Sequence, residues 1–240
     1  MKQLLTILKR PIAFFLLCVL WTCSDPAEMI GELPEVPPHV QADSISYLAL
    51  GDSYTIGQGV EESDRWPNQL AVQLQEHEIP VKSLDIIART GWTTGNLLAA
   101  IQDAAPGPQD LVSLLIGVNN QYQGLEFQEF QEEFDSLLIT AIQLAGTQAN
   151  VFVVSIPDYG VTPFGQANRE KIAEELDMYN TYMAQRCDSI DIAFVNITEI
   201  SRQLGDGANA LASDKLHPSG AQYAAWVEEM FPIIIELLDE

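Results

Sequence analysis

Apolar runs of strand length alternate along this chain with longer stretches of helical period, and polar, glycine-bearing turns follow the runs. That alternation predicts an α/β fold built on a parallel sheet. With 240 residues, 47% of them apolar, the chain can bury a substantial core, and a fold of this class and length need not be divided. A single globular domain is therefore expected over residues 44–240.

Five units can be laid out in order. The first strand is read over 45–50 (ISYLAL), and a helix over 67–77 follows it, with Pro67 suited to a first turn where a missing N–H costs nothing. The second strand, 83–88 (SLDIIA), leads to a helix over 94–103, and the third, 111–116 (LVSLLI), to a long helix over 127–145 that Gly146 can terminate. A fourth strand, 151–156 (VFVVSI), precedes a helix over 169–187. The fifth, 192–197 (IAFVNI), precedes a last helix over 218–238, for which Pro218 is again read as a first-turn residue. No internal repeat interrupts the series.

Residues 1–22 read differently. Lys2, Lys9 and Arg10 precede an apolar stretch from Pro11 to Trp21 that is too short to span a bilayer, the pattern of a signal peptide. Cys23 stands where a bacterial lipoprotein signal would end, although Trp21 is bulkier than the small residue usual there. Lipidation at Cys23 is expected, with the polar, proline-rich stretch through residue 43 as a flexible tether. The product would be exported to the periplasm or cell envelope and would touch the membrane only through that anchor. Cys187 would then be the one remaining cysteine, unable to form an internal disulfide and read as an inert thiol on a helix.

Removing the leader takes three of the 11 basic residues and none of the 34 acidic ones, so 8 against 34 leaves a net charge of −26. Nucleic acid is an improbable partner for such a surface, whereas a small-molecule, carbohydrate or lipid ester is compatible with it. A monomer is expected.

In doubly wound sheets ligands bind beyond the carboxyl ends of the strands, where the strand order reverses. The first such turn, GDSYTIGQG (51–59), lacks the phosphate loop GxxxxGK[ST], because Ile56 replaces its second glycine and no lysine follows. Glu62 breaks the dinucleotide pattern after Gly57-Gln58-Gly59, and Thr55 breaks the GxSxG elbow. Ser53 alone would read as a turn residue. A serine nucleophile needs a base, and of the three histidines His39 lies in the tether and His77 in a charged helix end, whereas His217 lies in a polar loop after the last strand. Asp214, three residues earlier, can hold one imidazole nitrogen and leave the other as the base. Gly91 after the second strand offers a backbone N–H, and Asn119 after the third a side-chain amide, as oxyanion donors beside the N–H of Ser53 itself. With strand order 2-1-3-4-5, Ser53 and Asn119 flank the reversal point.

Gly51-Asp52-Ser53, Gly91, Gly117-Val118-Asn119 and Asp214-Lys215-Leu216-His217 resemble, in order and spacing, the four blocks of the SGNH (GDSL-type) hydrolase family, most of all its bacterial lysophospholipase and esterase branch. The resemblance covers residues 44–238. It implies a flavodoxin-like three-layer α/β/α sandwich with a five-stranded parallel sheet, and a serine ester hydrolase working through an acyl-enzyme on Ser53. It further implies Asp214 and His217 as the other triad members, Gly91 and Asn119 completing the oxyanion hole, and no metal or organic cofactor. Two departures stand out: Tyr54 follows the serine where leucine is usual, and Asn120 replaces a frequent aspartate. Substrate contacts are sought in Asp52, Trp92, Tyr122, Asp158, Tyr159 and Phe164, the last three on a connection over 157–168 that is long for an α/β unit. The alternative to an enzyme is a glycan-binding lipoprotein using the same crevice without cleavage.

Overall fold

The computed structural model describes residues 44–239, so the leader, Cys23, the tether and His39 lie outside the described residues. Five strands form one parallel sheet in the order β2-β1-β3-β4-β5: β1 (Ile45–Gly51), β2 (Val81–Ala88), β3 (Leu111–Leu115), β4 (Val151–Val154) and β5 (Ala193–Val195). Ala49 aligns with Ile86 on one side and Ser113 on the other, which fixes the register of the central strand. Every residue of β1, β3 and β4 is buried, as expected of parallel strands covered on both faces, whereas β2 and β5 are edges and only partly covered.

The covering layers are helical. α2 (Trp66–Glu76) packs against α8 (Gly220–Asp239), while α3 (Thr94–Ala104), α5 (Phe127–Ala145) and α6 (Arg169–Asp188) form a second contiguous layer. Fully buried Tyr47, Leu48 and Leu50 of β1 lie in one core with Trp66, Phe130, Phe134, Phe152 and Trp226. The α5–α6 contact is aromatic: the Phe130 and Tyr179 ring centres are 4.3 Å apart, with Phe127 and Tyr182 adjoining. No described helix is long and apolar enough to cross a membrane.

The five expected strands and five long helices are all present, and the differences fall at their ends. The fourth and fifth strands stop two residues early because side chains take over their backbone groups. Asn180 clamps Ile156 through both its N–H (2.8 Å) and its carbonyl (3.0 Å), and Ser155 Oγ accepts from the N–H groups of Ile197 and Thr198. The last helix begins at Gly220 rather than at Pro218, which instead forms an antiparallel bridge with Leu211. Ser219 Oγ accepts from Gln222 N in the manner of an N-cap. Three short helices were not expected: α1 (Ser53–Ile56), α4 (Val118–Gln123) and α7 (Thr198–Leu204). At four to seven residues they are too short to display a helical period.

Candidate active site

The end of β1 is crowded. A β-carbon on Gly51 would sit 2.1 Å from Thr55 Oγ1 and 2.5 Å from the Leu115 carbonyl, so only glycine lets α1 fold back onto the strand here. Asp52 caps that helix, its Oδ1 accepting from Tyr54 N at 3.0 Å. Ser53 is thereby the first helical residue, and its N–H has no intrahelical acceptor. Asp52 itself is fully buried and is not among the residues that line the crevice, whereas the sequence offers it as a substrate contact. Burial pushes its carboxyl up to about 7, against the hydrogen bond from Tyr54, and Oδ2 has no protein partner among the described residues.

The loop 211–218 organises the Asp214–His217 pair. The Leu211–Pro218 bridge and the bond from Ala212 N to the His217 carbonyl (2.8 Å) close it, and Lys215 takes the left-handed conformation (φ 63°) at its tip. Inside the loop, Asp214 Oδ1 accepts from Leu216 N and His217 N, both at 3.0 Å, while Oδ2 meets His217 Nδ1 at 2.7 Å. A carboxylate can only accept, so Nδ1 is the donor in this contact, and in the neutral tautomer Nε2 is the acceptor. Partial desolvation raises the Asp214 pKa, but the bonds from the imidazole and the two N–H groups outweigh it and hold the carboxyl below its ordinary range. Buried Tyr54 packs edge-on against the His217 ring, centres 5.8 Å apart, and against Trp226 behind it. The tyrosine that departs from the family pattern thus braces the histidine.

The amide donors come from the turns after β2 and β3. Gly91 has φ 86°, a conformation that side-chain-bearing residues adopt only with strain. Asn119 Nδ2 donates to the Trp92 carbonyl at 2.9 Å, which fixes the amide while leaving its second N–H for another acceptor. Asn120, the second departure, ties the same two turns together: its Oδ1 accepts from Thr94 N (3.0 Å) and its Nδ2 donates to Thr94 Oγ1 (2.6 Å).

Ser53, Gly91, Asn119 and His217 line a single crevice of about 200 Å³, and Tyr122, Tyr159 and Phe164 form one of its walls. Ser53 Oγ and His217 are not directly hydrogen-bonded among the described residues, and such bonds commonly tighten only around substrate. Two further expected contacts are corrected. Trp92 packs partly buried against the core and is not among the residues lining the crevice; its carbonyl accepts from Asn119. Asp158 is 2% exposed, with Oδ1 accepting from Gly160 N at 2.8 Å and Oδ2 paired to Arg202 Nε at 2.9 Å, so it anchors the 157–168 connection rather than meeting substrate. Arg202 also reaches Asp177 and Glu199 and had no signal in the sequence. Cys187 is fully buried, and desolvation pushes its thiol up to about 12, which makes it inert at neutral pH.

A sheet of this topology with a serine, an Asp–His pair and amide donors converging at its switch point belongs with the hydrolases, and here with the carboxylic ester hydrolases. The chain matches the model of the GDSL-like lipase/acylhydrolase family over residues 49–225, and it is a member of that family. Solved structures agree in fold at low sequence identity. An acetyl xylan esterase from Geobacillus stearothermophilus is 19% identical with a TM-score of 0.62, the match covering 81% of this chain and 97% of that one. An extracellular lipase from Streptomyces rimosus is 20% identical with a TM-score of 0.62, covering 80% and 99%. The esterase EstA from Pseudoalteromonas sp. is 18% identical with a TM-score of 0.59, covering 81% and 99%. No curated protein matches the chain in sequence.

Proposed function

We propose that the protein is an exported serine esterase, tethered by a lipid on Cys23, that works through an acyl-enzyme on Ser53. The observation that carries this reading is the His217–Asp214 contact of 2.7 Å on the wall of the crevice that Ser53 also lines. His217 Nε2 takes the Ser53 proton as Oγ attacks the ester carbonyl. The resulting oxyanion is held by the N–H groups of Ser53 and Gly91 and the free N–H of Asn119, and the imidazolium then protonates the departing alkoxide. A water, deprotonated by His217 in turn, attacks the acyl carbonyl; its hydroxyl stays on the acid and its proton returns to Ser53. Asp214 keeps the imidazole in the Nδ1–H tautomer and offsets its positive charge. Purified protein should hydrolyse p-nitrophenyl acetate and label with a fluorophosphonate, and Ser53→Ala should lose both while keeping its circular dichroism spectrum. Folded wild-type protein that binds glycan but neither turns over an ester nor labels would favour a glycan-binding lipoprotein instead.

A further inference from the structure

The aromatic wall of the crevice has a second side. Beyond Tyr122, Tyr159 and Phe164 lies a larger cavity of about 490 Å³, walled by α4, α6 and the 157–168 connection. Both cavities share the three rings, whose centres are 5.8 to 6.3 Å apart. Tyr122 and Phe164 are 57% and 53% exposed, among the few large apolar side chains left open to solvent, and they are neighbours at the mouth between the two cavities. Paired exposed aromatics beside a cleft mark a binding surface.

The second cavity is polar and its lining is held in place. Tyr159 Oη donates to Gln121 Oε1 (2.8 Å), Gln121 Nε2 donates to Glu175 Oε2 (2.7 Å), and Lys171 lies 3.6 Å from the other oxygen of Glu175. Gln123 and Asn168 add side-chain amides. Lys171 is the one cation of this lining; it is largely exposed and has the Glu175 carboxylate 3.6 Å away, on a chain of net charge −23. A phosphate headgroup would find a single exposed lysine whose charge a neighbouring carboxylate offsets, a poor anion site. A neutral polyhydroxyl ligand would find ring faces together with amide and carboxylate partners for its hydroxyls. The catalytic crevice, at about 200 Å³, falls below the roughly 300 Å³ at which drug-sized ligand pockets begin, which suits a short acyl group.

We infer that the second cavity is the leaving-group subsite, and that the substrate is a short-chain acyl ester, acetyl in the simplest case, of a neutral carbohydrate. The sugar ring lies against Phe164 and Tyr122, and its hydroxyls meet Gln123, Asn168 and Glu175. This rests on the esterase reading. The bond from the acyl carbon to the sugar oxygen breaks, the oxygen leaves as the sugar hydroxyl with the proton from His217, and water completes the acid.

Two measurements separate this inference from the reading beneath it. In the Ser53→Ala protein, titration calorimetry with deacetylated xylo- and cello-oligosaccharides should show binding that falls at least tenfold when Phe164→Ala or Asn168→Ala is added. Both side chains lie at the surface, so the fold is not at risk. In otherwise wild-type protein, the same substitutions should lower kcat/KM for the acetylated oligosaccharide at least tenfold relative to that for p-nitrophenyl acetate. Hydrolysis of p-nitrophenyl acetate without oligosaccharide binding, with an unaltered ratio in both variants, or with faster turnover of lysophosphatidylcholine than of the acetylated sugar overturns the subsite and leaves the esterase standing. Oligosaccharide binding that depends on Phe164 in a protein without esterase activity upholds the subsite and removes the esterase.

Discussion

At Asp214 one carboxylate closes a turn through two backbone N–H groups and holds the imidazole through its other oxygen. Asp214→Asn keeps an acceptor for the turn but removes the charge, so its fold should survive while kcat falls by orders of magnitude; Asp214→Ala should lose stability as well, visible as a lower denaturation midpoint. Asn119→Ala removes one oxyanion donor, and kcat for p-nitrophenyl acetate should fall by about 10²–10³ with a smaller change in KM. Buried Asp52 behaves in the opposite sense to Asp214. Its carboxyl is pushed from the ordinary 3.8 to about 7, so the folded state holds a proton that the unfolded chain releases. Its share of stability is therefore full below about pH 4 and is lost as pH rises through about 7, a cost on the order of 4 kcal/mol at the alkaline end. Chemical denaturation of wild-type and Asp52→Asn proteins from pH 5 to pH 8 should show the variant gaining relative stability as pH rises. A difference independent of pH would refute the shifted carboxyl.

Among the elements, the 157–168 connection is tied to α7 at Asp158, whose N–H donates to Ser201 Oγ (2.9 Å) and whose carboxylate pairs with Arg202. Arg202 is the charge partner of Asp158, and Arg202→Ala leaves that carboxylate buried and unpaired, so a loss of about 3–5 kcal/mol is expected in urea unfolding. The aromatic wall of the crevice stands on the same connection, and KM should rise with the loss. This partnership explains why Asp158 was misread: an acid in a polar turn looks solvated, and the arginine that buries it lies 44 residues further on, in a helix too short to announce itself. Asp52 was misread in the same way, since its capping bond is local but its burial is set by the surrounding fold. The central strands, by contrast, were plain in the sequence because burial on both faces demands near-continuous apolar runs such as VFVV. Ser53, Gly91 and Asn119 were legible because each follows a strand in a parallel sheet, where topology brings the turns to one edge; His217 lies beyond α7, and the scarcity of histidines and its spacing from Asp214 were what singled it out. The support from Tyr54 was visible only as an irregularity in a motif.

On the scale of the whole molecule, a net charge of −23 imposes self-repulsion that the folded state concentrates. Raising NaCl from 10 mM to 1 M shortens the screening length from about 30 Å to about 3 Å, and Tm should rise; a flat or falling Tm would show that specific ion pairs outweigh the repulsion. The crevice also spans the chain from end to end, since Ser53 leaves the first strand and His217 immediately precedes the last helix. Neither half exists until β1 lies in the centre of the sheet and the loop 211–218 has closed behind β5. On the proposed mechanism, labelling of Ser53 by a fluorophosphonate would therefore be a sensor of completed folding, reporting in one covalent signal that the first and last parts of the domain have met.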